Sequence, residues 1–102
     1  MNVEKIVTLL RLAQKAGKVE IGRTAVSILL KRRRAALVLV AADATEKLKR
    51  EIEATCLQLQ VPLFVYADKA ILGELCGRDS VAVMAISDNN LAAGLKQAFV
   101  AP

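Results

Sequence analysis

The sequence feature that most constrains the fold is an uninterrupted apolar run, Ala35–Ala42, in the first half of the chain. It is much shorter than the ~20 residues that a membrane-spanning helix requires. An apolar run of this length with β-branched residues is typical of a strand covered on both faces. Because helical patterns flank the run, we expect helices to cover both faces of a sheet.

Helical and extended patterns alternate along the rest of the chain. Asp43, Asp68 and Asp88 each precede a helical pattern, and we interpret all three as N-caps rather than catalytic acids. Asp43 would open a capping box, because Glu46 follows it three residues later. The patterns predict helices at 3–16, 22–33, 44–59, 69–77 and 89–99, and strands at 18–21, 35–42, 61–66 and 81–86.

These elements predict one α/β domain over residues 1–102, a three-layer α/β/α sandwich with a small mixed or parallel sheet. The strands at 35–42, 61–66 and 81–86 are all expected to be buried between helical layers.

The residue types present argue against an enzyme or a metal protein. The chain has no histidine, and its two cysteines, Cys56 and Cys76, lie far apart. Zinc ligation and Cys–His catalysis therefore both lack partners, and no pair of carboxylates has the spacing of an acid–base site. We expect no cofactor, no metal and no small-molecule substrate. Two unpaired thiols and the absence of a signal-peptide pattern predict a cytoplasmic protein that does not bind membranes.

One segment, Gly17–Thr24, has nearly the spacing of a phosphate loop, with Arg23 where that motif has lysine. A phosphate loop follows a buried strand, whereas this segment follows a helical pattern. Val19 and Ile21 also disfavour the tight turns that expose backbone amides. A nucleotide-dependent enzyme is therefore the least favoured hypothesis. A KH-type loop is disfavoured as well, because Ala25 stands where that loop has its second glycine.

Positive charge is concentrated in the first part of the chain. Residues 1–37 carry nine Lys or Arg and two Glu, a net charge of +7, while residues 38–102 carry a net charge of −2. The densest basic run is Lys31–Arg34. It is either a solvent-exposed helix end whose cations complement the helix dipole or a run that contacts phosphates. Gly22–Thr24 would leave free N–H groups at a helix start, which is a favourable position for an anion. This asymmetry favours a polyanionic partner.

Several stretches, in their order and spacing, resemble the kink-turn-binding ribosomal proteins of the archaeal L7Ae type, and in particular their bacterial YlxQ-like branch. The resemblance covers about residues 5–99. The matching stretches are Leu9–Lys18, Gly22 with the helix after it, Ala36–Ala44, Cys56 with Val61–Pro62, Leu72–Gly77 and Val81–Asp88.

The resemblance implies an α/β/α sandwich with a four-stranded mixed sheet that binds sharply bent RNA containing tandem sheared G·A pairs. In that family the start of the second helix enters the RNA major groove, and a loop before the last strand closes over an extruded nucleotide. With nearby cations added, the predicted RNA-binding residues are Lys15, Lys18, Gly22, Arg23, Thr24, Ser27, Lys31, Arg78, Asp79, Ser80 and Val81. We expect the protein to act as a monomer on structured RNA, with ribosomal RNA as one candidate.

The chain departs from the family motif at three positions. Thr24 and Ala25 replace an Asn-Glu pair, and Ile28 replaces a lysine. A bidentate base contact contributes ~1–3 kcal/mol of discrimination, so these replacements remove a large part of the family's base recognition. The alternative hypothesis is therefore a general RNA- or protein-interaction module on the same fold, without kink-turn specificity.

Overall fold

The computed structural model describes residues 1–102 and contains five helices and four strands. In chain order these are α1 (Val3–Lys15), β1 (Val19–Ile21), α2 (Arg23–Lys31), β2 (Leu37–Val40), α3 (Glu46–Leu59), β3 (Leu63–Val65), α4 (Lys69–Leu75), β4 (Val83–Ile86) and α5 (Asn89–Val100). The predicted order and type of the elements are confirmed, and the strands are shorter than the apolar runs that predicted them. No helix is both long enough and apolar enough to cross a membrane.

Local side-chain and backbone contacts define the ends of α1. The Asn2 side chain accepts a hydrogen bond from the Lys5 backbone N–H at 3.1 Å, which satisfies one of the free donors of the first turn. At the other end Gly17 has a φ of +69°, and the Lys18 N–H donates to the Ala13 carbonyl at 2.9 Å. This is the Schellman geometry, and it turns the chain directly into β1.

The four strands form one mixed sheet in the order β1-β4-β2-β3. β4 pairs antiparallel with both β1 and β2, whereas β2 and β3 are parallel. The last strand in the sequence therefore fills the gap between the first and second strands. As a result, the carboxyl ends of β1, β2 and β3 lie at the same end of the sheet as the start of β4. The four-stranded mixed sheet expected from the resemblance is confirmed.

Helices cover both faces of this sheet. α2 packs on β1, β4 and α3, whereas α1 packs on α4 and α5. On the second face, Met84 of β4 contacts Cys76 just beyond α4, and Phe64 of β3 stacks on Phe99 of α5 at 4.5 Å. Tyr66 packs edge-on against the same Phe99 ring. The other two aromatic side chains of the protein thus both pack on Phe99. The three-layer α/β/α sandwich is confirmed.

The core is centred on the two middle strands. Every residue of β2 and β4 is buried, and all the buried hydrophobic residues belong to one cluster. No charged side chain is buried. Two edge strands complete the sheet, and here one expectation was wrong: β3 is not covered on both faces. None of its residues is buried: Leu63 and Phe64 are half-buried, and Val65 is 52% exposed.

A second expectation was wrong at the start of α3. Thr45, not Asp43, is the N-cap, and its hydroxyl accepts from the Leu48 N–H at 3.2 Å. The Asp43 carboxylate instead accepts from the Lys69 N–H at 2.8 Å and so satisfies the first amide of α4. Asp68 and Asp88 are N-caps as predicted, of α4 and α5.

Candidate nucleic-acid interface

The start of α2 presents free backbone donors to solvent. Gly22 is its N-cap, with φ +95° and ψ 160°, a conformation that favours glycine, and it has no side chain to cap the helix. The N–H groups of Arg23, Thr24 and Ala25 accordingly have no hydrogen-bond partner in the protein. Together with the helix dipole, three free donors make this end favourable for a phosphate or a base edge.

The loop before β4 leads into a strand that is hydrogen-bonded to this helix start. The Gly22 N–H donates to the Val83 carbonyl at 3.0 Å, which joins the end of β1 to the first residue of β4. The loop itself is held by the Val81 N–H, which donates to the Lys69 carbonyl at 3.0 Å, and by the Ala41 N–H, which donates to the Ala82 carbonyl at 2.9 Å. The two predicted RNA-contacting segments are therefore both attached to β4 at the same end of the sheet.

Gly73 of α4 brings the loop unusually close to that helix. A Cβ atom at this position would lie 2.8 Å from both the Arg78 carbonyl oxygen and the Ser80 nitrogen. The Arg78 N–H also donates to the Gly73 carbonyl at 2.7 Å. The absence of a side chain at Gly73 is thus a requirement for the position of Arg78–Ser80, and those three residues are exposed.

The cationic side chain at the helix start is already paired. The Arg23 guanidinium donates to the Glu51 carboxylate of α3 at 2.5 Å, and both side chains are partly exposed, 59% and 38%. An exposed pair of this kind contributes ~0–1 kcal/mol, so a phosphate could compete for Arg23 at little cost. Sequence reasoning missed Glu51, because only the packing of α2 on α3 brings it to this site.

The other predicted residues differ in how far they are accessible. Thr24 is exposed, Ser27 is half-buried, and Ile28 is 45% exposed on the same helix. Val81 is 2% exposed, and its N–H is already bonded to Lys69. The Val81 side chain belongs to the core, so this residue can offer a ligand only its carbonyl group.

Three predicted cations lie away from the helix start. Lys18 precedes β1 at the opposite end of the sheet, where its carbonyl accepts from the Ser87 N–H at 2.9 Å. Lys31 ends α2, eight residues and ~12 Å along the helix from Arg23. Lys15 ends α1, next to Gln14, whose side-chain amide donates to the Cys76 carbonyl at 3.3 Å just before the loop. Of the three, Lys15 is thus the one tied through its neighbour to the loop.

Neither cysteine is suited to nucleophilic chemistry. Both thiols are free and buried. Burial raises the pKa of Cys56 to about 11. Burial also raises the pKa of Cys76, and the nearby Arg78 charge partly opposes that change. Since only the thiolate is an effective nucleophile, both thiols are unreactive at neutral pH.

The fold and the candidate site define a class: a small α/β/α domain with an uncapped helix start and an exposed loop at the same end of its sheet. The family model described as "Ribosomal protein L7Ae/L30e/S12e/Gadd45 family" matches residues 4–96. The chain belongs to this family.

Similar proteins agree with that assignment. The large ribosomal subunit protein eL30 of Methanopyrus kandleri is 35% identical over 89 residues, which is 85% of this chain and 82% of the relative. The RNA-binding protein YlxQ of Bacillus subtilis is 32% identical over 84 residues, which is 82% of this chain and 84% of that protein. The expected resemblance to the YlxQ-like branch is confirmed. The family consists of ribosomal and RNA-binding proteins, which agrees with the expectation that this chain is not an enzyme.

A solved structure of a Bacillus halodurans protein of unknown function has the same fold. It superimposes with a TM-score of 0.88 over 91% of this chain and 94% of that one, at 24% sequence identity. This likeness concerns the fold alone.

Proposed function

We propose that this protein binds sharply bent, kink-turn-type RNA through the start of α2 and the loop Arg78–Val81. The observation that carries the proposal is the hydrogen bond from the Gly22 N–H to the Val83 carbonyl. It joins the helix start to β4 at the end of the sheet where the loop enters that strand, which supports contact of one bent RNA with both segments. In this arrangement the helix N–H groups and Arg23 would contact phosphates and base edges, and the loop would cover an extruded nucleotide.

Membership of a family of ribosomal and RNA-binding proteins supports RNA as the partner. We further propose that the protein acts as a monomer in the cytoplasm, since its two free thiols suit a reducing compartment. Ribosomal RNA is a candidate target, given the likeness to eL30.

The test compares two RNAs, a kink-turn RNA and the same RNA with its sheared G·A pairs converted to Watson–Crick pairs. Gel-shift titrations at one fixed salt concentration should show tighter binding to the kinked form. Arg23→Ala should weaken binding to the kinked RNA. Equal affinity for the two RNAs would refute kink-turn recognition.

A gain-of-function variant sharpens this test. Thr24→Asn, Ala25→Glu and Ile28→Lys together would restore the three family-type side chains. Thr24 and Ile28 are exposed and Ala25 is half-buried, so the helix should accept them. With one to two bidentate contacts regained at ~1–3 kcal/mol each, discrimination for the kinked RNA should rise at least about fivefold. An unchanged ratio would argue that this helix start does not read the G·A pairs.

A second candidate function is a general RNA-interaction module without kink-turn specificity. The observation that favours it is the chemistry of Ala25 and Ile28, neither of which can hydrogen-bond to a guanine through its side chain. It predicts affinity that depends steeply on salt and little on RNA shape. Charge reversal across Lys31–Arg34 would then abolish binding, while Thr24→Ala would change little.

A further inference from the structure

A basic cleft lies at the end of the sheet opposite the start of α2. It has a volume of about 390 Å³ and is lined by Lys18, Arg33, Arg34, Ala35, Ser87 and Asn89. Three of these six side chains are cationic and none is acidic. A neighbouring cleft of about 280 Å³ shares Arg33, Ala35 and Asn89 with it. Sequence order alone does not unite Lys18 with Arg33 and Arg34.

The cations of this cleft have no acidic partner. No carboxylate lies within 4.0 Å of Lys18, Arg33 or Arg34, since the ion pairs of the protein involve other cations. The acidic residue closest in sequence to the lining, Asp88, accepts from the Leu91 N–H at 2.8 Å as the cap of α5. Glu20 lines a neighbouring cleft with Arg34 but forms no ion pair there. Positive potential is therefore concentrated in the cleft, which favours an anionic ligand.

The backbone also holds the cleft in place. The Lys18 carbonyl accepts from both the N–H of Ser87 at 2.9 Å and its hydroxyl at 3.3 Å. Arg33 has a φ of +56°, a left-handed conformation that few non-glycine residues adopt, and the Arg34 N–H donates to the Leu29 carbonyl at 3.0 Å. Glycine would adopt the conformation of residue 33 without strain, but the residue there is an arginine.

We propose that Lys18, Arg33 and Arg34 form a second RNA contact site, which binds the phosphate backbone of a segment other than the one at the start of α2. Arg23 begins α2 and Lys31 ends it, a rise of ~12 Å at 1.5 Å per residue, and Arg33 and Arg34 follow that C-terminal end. The two sites thus face opposite ends of the domain. The protein can therefore link two separate stretches of RNA backbone. This inference relies on the partner being RNA, but not on kink-turn recognition.

The test uses the double variant Arg33→Gly/Arg34→Gln. Arg33→Gly removes a charge, and glycine adopts the left-handed conformation without strain. The double variant should therefore be at least as stable against heat as the wild type. The control, Lys5→Gln/Lys96→Gln, also removes two positive charges, but from exposed positions on α1 and α5. Both proteins are titrated with a kink-turn RNA and with poly(U).

Affinity varies with salt concentration to a power of about −0.7 to −0.9 per phosphate contact, so each lost contact should cost about fivefold at ~0.1 M salt. Arg33→Gly/Arg34→Gln should thus bind both RNAs about five- to 25-fold more weakly, with a salt slope shallower by about one to two. The Lys5/Lys96 control should change little.

Equal losses in the two double variants would overturn the proposal, because they would reflect net charge alone. Unchanged RNA affinity in Arg33→Gly/Arg34→Gln would also overturn it and would point to another anionic partner. The ratio of kinked to unkinked binding is a separate readout that bears only on the start of α2.

Discussion

Replacing Gly73 by alanine should displace the loop that leads into β4. The added Cβ would lie 2.8 Å from the Arg78 carbonyl oxygen, 2.8 Å from the Ser80 nitrogen and 2.9 Å from the Asp79 carbonyl carbon. All three are backbone atoms, so no change of rotamer can relieve the overlap. Either the loop moves away from α4, or the helix shifts within its layer.

The expected change in stability of Gly73→Ala is the sum of two opposing effects. Alanine is preferred to glycine inside a helix by ~1 kcal/mol. Overpacking against atoms that cannot move aside costs ~1–3 kcal/mol, and three simultaneous contacts below 3 Å place Gly73 at the upper end of that range. The net expectation is a loss of about 2 kcal/mol, which in a domain of this size lowers the melting temperature by about 10 °C.

Gly94 of α5 provides a matched control. Its added Cβ would lie 3.1 Å from Leu9 Cδ1, the flexible end of a side chain that can rotate aside. Gly94→Ala should therefore gain most of the ~1 kcal/mol of helix preference.

Thermal and urea denaturation compare the stabilities of the two variants. RNA titration well below both melting temperatures tests whether displacement of the loop weakens binding. Gly73→Ala should weaken binding to kink-turn RNA, whereas Gly94→Ala should not. If Gly73→Ala proved as stable as Gly94→Ala, the close approach of loop and helix would be refuted.

Three further predictions concern single side chains. Glu51→Gln should raise RNA affinity by up to about fivefold, because it frees Arg23 from an exposed pair worth ~0–1 kcal/mol; if the gain persists in Arg23→Ala, the pair is not its source. Thr45→Ala should lower the free energy of unfolding by ~1 kcal/mol in urea titrations, while Asp43→Ala should accelerate hydrogen exchange at the Lys69 amide. Burial raises the pKa of Cys56 from 9.0 to about 11, so the folded state disfavours the thiolate. The free energy of unfolding should therefore fall between those pH values, and it should fall less in Cys56→Ala; identical pH profiles would refute this.

The succession of helices and strands could be predicted from the sequence, because periodicity and end signals are local. The apolar runs at β2 and β4 fixed the central strands, and Gly17 fixed the end of α1. The same logic was wrong for β3, because an apolar run shows that a strand packs on something but not that both of its faces are covered. Its place at the sheet edge depends on strand order, which is a property of the whole chain.

The candidate site was predictable only where its residues are continuous in sequence. Gly22–Thr24 could be recognised as a helix start with free N–H groups, whereas the loop Arg78–Val81 was predicted only from the family resemblance. Lys18 is four residues from Gly22, but β1 carries the two to opposite ends of the sheet. Asp43 precedes α3, yet its carboxylate accepts a hydrogen bond from the first N–H group of α4. Such assignments depend on contacts between segments that are distant in sequence.

The position of β4 has a consequence for how this chain reaches its native state. Residues 83–86 supply every sheet hydrogen-bond partner of β1, and they alone join β1 to β2. During synthesis the first strand therefore has no partner until the last one has been made, and only the parallel β2–β3 pair can form earlier. Contacts between residues so far apart in sequence are slow to form. Completion of the sheet, and with it the joining of Gly22 to Val83, is thus expected to be a late and cooperative step, and the RNA-binding surface should appear together with the folded core.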